Sequence, residues 1–120
     1  MGAMDPRLRA AVDASACWYD NICASHGVAA SIVEGIWISR TAPPPLHSAA
    51  NVIEPWVGVH QVLRAVERFE HCSVADCFAS LDLGPVGMEV LFTAEWIHRA
   101  AHPSERPPGL EAGRWCGGTR

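Results

Sequence analysis

Two runs rich in β-branched and aromatic residues, 28–33 and 36–40, are separated only by Glu34-Gly35. Two residues are enough to turn the chain back alongside itself and too few for anything else. This stretch therefore reads as an antiparallel hairpin closed by a tight glycine turn. Within the second run Ile36 and Ile38 share one face, and Trp37 points to the other. A hairpin with apolar residues on both faces has to be covered, and the flanking sequence supplies the cover.

On the N-terminal side, residues 7–26 predict a helix. Leu8, Val12, Ser15, Tyr19, Ile22 and Cys23 recur at three- and four-residue spacing, with Ala11 and Trp18 widening the stripe. Gly27 supplies a stop that can adopt positive φ, and His26 suits the C-terminal end of the helix dipole. On the C-terminal side, Pro43-Pro44-Pro45 removes three donors and forces an extended loop. Residues 49–54 form a short apolar run stopped by Pro55 and predict a strand. Residues 58–69 predict the second helix, with Val59, Val62, Leu63, Val66 and Phe69 on one face and His60, Gln61, Arg64, Glu67 and Arg68 on the other. Residues 72–81 and 88–97 read as two further strands joined by a turn at Leu83-Gly84-Pro85-Val86-Gly87.

The expected fold class is α+β. Its order is α-β-β-β-α-β-β, with two main helices packed on an antiparallel meandering sheet of about five strands. Residues 1–6 read as a cloning scar, 7–99 as the single domain, and 100–120 as a Pro/Gly/Arg-rich tail. The chain has 120 residues, enough for one domain that buries roughly two-thirds of its unfolded surface.

Composition narrows the function classes. All nine basic residues are arginines, and lysine is absent. That pattern suggests a GC-rich bacterial genome. The arginines are scattered and the net charge is −4, which argues against nucleic acid as a partner. No apolar run approaches a membrane span, and no leader is visible, so the chain reads as cytoplasmic. The five cysteines are Cys17, Cys23, Cys72, Cys77 and Cys116. An odd number argues against a disulfide framework, and the spacings lack the tight C-x2-C of a structural zinc site. They read as small buried hydrophobes plus one tail thiol, with no metal.

The element order resembles that of the GCN5-related N-acetyltransferases (GNAT): a leading helix, antiparallel strands, a helix after the fourth strand, then a splayed fifth strand. A closer likeness lies in Cys17-Trp18-Tyr19-Asp20, Gly35-Ile36-Trp37-Ile38-Ser39-Arg40, Pro45-Leu46-His47-Ser48 and Val52-Ile53-Glu54-Pro55. It extends to Ser73-Val74-Ala75-Asp76-Cys77-Phe78-Ala79 and to Met88-Glu89-Val90-Leu91-Phe92-Thr93-Ala94-Glu95-Trp96-Ile97. These segments resemble the N-terminal half of two-domain actinobacterial acetyltransferases, over about residues 15–99. In such proteins the C-terminal half carries the coenzyme A site. The family's coenzyme A loop reads Gln/Arg-x-x-Gly-x-Gly/Ala, and its backbone N–H groups hold pyrophosphate at a helix N-terminus. The matching stretch here is Glu54-Pro55-Trp56-Val57-Gly58-Val59. One glycine, a bulky indole, a missing donor and an acid predict that coenzyme A does not bind in the standard way, so no cofactor is expected.

Candidate chemistry rests on a few residues. Asp76 and Glu95 each sit in an apolar, strand-like run, where desolvation can tune a carboxylate for acid–base work. His98 is three residues beyond Glu95 and falls on the opposite strand face unless a bulge intervenes. The plainer reading of both acids is solvent exposure, or pairing with arginines such as Arg40 and Arg99. His71-Cys72 with Cys77 places thiols near an imidazole, but neighbouring strand residues point opposite ways. Trp37, Trp56 and Trp96 lie outside the helices and suit a ligand pocket, a dimer interface or the edges of the core. His47 follows a rigid proline run and is a candidate loop site.

Three readings of function follow. One is a non-catalytic or degenerate acetyltransferase-like module that dimerises, binds a small molecule, or both. The second is a small biosynthetic enzyme working through a carboxylate and histidine on the same fold. The third is the N-terminal half of a two-domain acetyltransferase. The first is preferred, and a homodimer is expected because an open sheet edge needs a partner.

Overall fold

A computed structural model of the chain describes residues 4–97 and 99. Helix α1 (Pro6–Ser25) is followed by β1 (Ala30–Val33), β2 (Ile36–Ser39), β3 (Ala50–Val52), helix α2 (Val59–Val66) and β4 (Val74–Asp76). The class is α+β, with two helices and a four-stranded mixed sheet in the order β1-β2-β3-β4.

Helix α1 begins where its cap chemistry dictates. Asp5 accepts from the Arg7 N–H at 2.8 Å, and Pro6 occupies the first turn. An acidic N-cap followed by proline is a strong start signal for a helix. At the other end Gly27, at φ +71°, reverses the chain and lets Val28 N–H reach the Cys23 carbonyl at 2.8 Å. The buried face carries Val12, Ala16, Cys17 and Cys23, while Trp18 is turned to solvent. Cys17 is disulfide-bonded, contrary to the expectation from an odd cysteine count, and Cys23, Cys72 and Cys77 are free thiols.

The hairpin forms as the sequence requires. Glu34 and Gly35 take φ +50° and +78°, the paired left-handed geometry whose twist matches the flanking strands. The pleat then sorts the core. Ile36, Ile38, Ala50 and Val52 face α2 and pack with Val57, Val62 and Val66. On the other face Ile53 packs with Val12 and Ala16 of α1. The sheet is thus held between two helices.

Two expectations about the sheet fail. The pairing of β3 with β4 is parallel, Ala50↔Val74 to Val52↔Asp76, so the sheet is no simple antiparallel meander. A helix joining two neighbouring strands carries the chain back to the end where the first strand began, so the second runs the same way. Residues 88–97 are not a strand. Val90, Leu91 and Phe92 stand exposed beside no ladder, because β propensity counts only where a neighbouring strand pairs with it. The expected strand at 72–81 shortens to three residues because the Asp76 carboxylate accepts the N–H groups of Phe78, Ser80 and Leu81. A side chain that captures local donors turns the backbone out of a ladder.

Candidate functional site

The C-terminal ends of the two parallel strands open side by side, a place where open sheets commonly receive ligands. On the β3 side the chain leaves through Ile53-Glu54, turns at Pro55-Trp56 and enters α2 at Gly58. The Glu54 carboxylate is gripped by Arg9 of α1, Nη1 to Oε1 at 3.2 Å and Nη2 to Oε2 at 2.9 Å. A fork-to-fork pair of this kind fixes orientation as well as charge. Gly58 N–H, a donor at the start of α2, is taken by the Gln61 side chain at 2.5 Å. Trp56 is 60% exposed, and its ring edge lies against Gly35 of the hairpin turn.

On the β4 side Asp76 receives N–H groups from Phe78, Ser80 and Leu81 at 3.0, 2.8 and 2.9 Å. Its carboxylate therefore shapes the loop after β4. Glu95 is exposed and shares no hydrogen bond with Asp76. His98 lies outside the described residues. Trp96 donates its indole N–H to the Cys77 carbonyl at 2.8 Å, which brings it next to Asp76 while leaving it half exposed.

Trp37 and His47 lie elsewhere, joined by a residue the sequence reading placed only on a helix face. Trp37 is fully buried, its N–H donates to Asp20 at 2.7 Å, and Tyr19 meets it edge-on at 5.0 Å. The Tyr19 ring meets His47 edge-on at 5.9 Å. Trp37 thus ties α1 to the sheet and presents nothing to a ligand from solvent, whereas His47 is half-buried at the loop end of this stack.

Two further polar arrangements escaped the sequence. Asn51 is buried in β3, donates to Ser15 at 3.2 Å and accepts from the Cys77 thiol at 3.2 Å. A lone asparagine inside an apolar strand run was the available signal. The second is a groove of 220 Å³ lined by Val33, Ile36, Ile38 and Ala65, with Glu34, Gln61, Arg64 and Arg68 around them. Arg68 also donates to the Ser39 carbonyl at 2.5 Å. Among the described residues no group of three or more His, Cys, Asp or Glu is gathered that could hold a metal ion. No helix among them is long and apolar enough to cross a membrane.

The thiols are poor nucleophiles here. Burial pushes Cys77 up to about 11, with Asp76 adding to the effect and the Ser15 hydrogen bond and Arg9 opposing it. Burial also raises Cys72, which removes the activation that a His71-Cys72 pair would need. Cys77 is expected to react with a chromogenic disulfide reagent at pH 8 roughly a hundredfold more slowly than a free cysteine, because the thiolate is the reacting species. The folded state holds the Cys77 proton more tightly than the unfolded chain, so its contribution is full below pH 9. Stability should fall as pH rises from about 9 toward about 11. Urea midpoints at pH 8, 9.5 and 11 for the parent chain and for Cys77→Ser check this. A fall of the same size in both would show that Cys77 is not the cause.

No protein-family model matches this chain, and no curated protein or solved structure gives a match.

Proposed function

We propose that this chain is a non-catalytic or degenerate acetyltransferase-like module of a bacterial cytoplasm that dimerises, binds a small molecule, or both. The observation that carries the reading is the state of the turn between β3 and α2. The helix follows the third strand here, where the resemblance expects it after the fourth, so the reading rests on the turn and not on the element order. The turn in the pyrophosphate position is occupied from within. Glu54 stands there as a carboxylate locked by Arg9, Pro55 donates nothing, and Gly58 N–H is spent on Gln61. A diphosphate needs several unspent backbone donors and no neighbouring anion.

A degenerate site also fits the fate of the acid–base candidates. Asp76 is spent on three backbone donors, and Glu95 is exposed and shares no hydrogen bond with it. The reading as an N-terminal half draws support from one feature, the exposed apolar run at Val90, Leu91, Phe92 and Ile97. A patch of that kind on a folded domain generally meets another surface.

Isothermal titration with coenzyme A and acetyl-coenzyme A tests the proposal. No heat is expected at either of two well-separated temperatures, a precaution because a binding enthalpy can pass through zero at one of them. Micromolar binding of either compound would overturn the reading and return the turn at residues 54–58 to the status of a working phosphate site.

A further inference from the structure

Among the described residues β1 is paired on one side only, with β2. Its ladder shows which groups remain. Val33↔Ile36 closes a two-residue turn and is therefore a hydrogen-bonded pair, and the alternation runs on to Arg40 N–H donating to the Ala29 carbonyl at 2.8 Å. Residues 29, 31 and 33 thus bond to β2. The N–H and C=O groups of Ala30 and Ile32 point to the outer edge. The strand carries none of the usual guards, neither proline nor lysine nor an inward charge, and Ile32 and Val33 are 49% and 55% exposed.

We propose that this edge pairs with the same edge of a second copy of the chain, antiparallel across a two-fold axis at Ser31. The inference deepens the dimerising reading above and rests on it. The register follows from the pleat. A two-fold normal to the sheet keeps each face on its own side, so the axis must pass through a residue and not between two. An axis at Ile32 would set Ala30 against Glu34 of the second copy, whose φ of +50° has already left the strand conformation. An axis at Ser31 sets Ala30 against Ile32 of the second copy, and Ile32 against its Ala30. All four outward backbone groups on each copy then find partners, in four hydrogen bonds. Ile32 gains apolar cover on the α1 face.

Charge selects the same occupant. In one chain Glu34 sits at the turn and Arg40 at the far end of the hairpin, too far apart along it to meet. The antiparallel pairing brings each Glu34 to the end of the second copy that carries Arg40. Opposite charges then face each other twice, related by symmetry. Arg40 already leans toward the axis, its Nε–H donating to the Ser31 hydroxyl at 2.9 Å.

The test combines a mass with a cross-link. Light scattering at tens of micromolar should give about twice the 12.9 kDa chain. On a two-fold through a non-hydrogen-bonded pair, the Cα atoms at position 31 lie about 4.5 Å apart, within disulfide reach. Ser31→Cys should therefore form a covalent dimer on mild oxidation. Ile32→Cys should not, because its two copies sit two residues out of step. Glu34→Arg should weaken dimerisation several-fold, and adding Arg40→Glu should restore it. A monomer at every concentration would overturn this proposal together with the dimerising reading, and would leave the edge for a strand of another protein. A dimer that neither cross-links at position 31 nor responds to the charge reversals would overturn the β1 pairing alone.

Discussion

Gly35→Ala should lower the unfolding free energy by about 2–5 kcal/mol, read as a shift of the urea midpoint at unchanged slope. Gly35 sits at φ +78°, where a side chain costs about 1–2 kcal/mol through contact between Cβ and the following carbonyl. A Cβ there would also meet Glu54 Cβ and Val57 Cγ2 at 2.9 Å and the Trp56 ring at 3.0 Å. Those atoms belong to the turn leaving β3, so relief would require the hairpin and that turn to separate. Gly27→Ala is the internal control. Its φ is +71° and nothing stands within 4 Å of the added carbon, so it should cost only the backbone share, about 1–2 kcal/mol. Equal costs at the two sites would show that the close approach of the hairpin to residues 54–57 is not tight. Because that approach shapes the proposed dead phosphate turn, the pair of variants also probes the functional reading.

Trp37→Ala should cost about 3–5 kcal/mol, the usual range for emptying a fully buried aromatic site. For a small domain this is a large share of total stability. The side chain is 0% exposed, meets Tyr19 at 5.0 Å and donates to Asp20 at 2.7 Å. Trp37→Phe should cost less, about 1–3 kcal/mol, because it keeps much of the apolar volume and loses the indole donor to Asp20. Denaturant unfolding followed by circular dichroism reads both. A Trp37→Ala chain as stable as the parent would mean that α1 is not anchored to the sheet through this residue, and the ligand-facing role considered for Trp37 would regain its standing.

The N-terminal two-thirds of the fold was readable because its signals are local. A two-residue loop fixes the partner of each strand in the hairpin, a glycine at positive φ ends α1, and a valine stripe at helical spacing defines α2. None of these needs a distant residue. The same holds for the turn at residues 54–58, whose poverty in glycine and excess of bulk and charge are visible as composition.

What only the tertiary structure decided depends on partners far apart in the chain. β4 runs parallel to β3 because α2 carries the chain back across the sheet, and strand propensity is blind to direction. Residues 88–97 have the composition of a strand and lack one, since hydrogen bonding to a neighbour makes a strand and none is beside them among the described residues. Asp76 looked like a desolvated acid in an apolar run, yet donors two to five residues onward claim it. Trp37 looked free to line a pocket, yet Asp20 and Tyr19 seventeen and eighteen positions earlier close over it. Arg9 reaches Glu54 across forty-five residues of sequence. A side chain's identity sets which interactions it can make, and only the folded backbone sets which partner arrives.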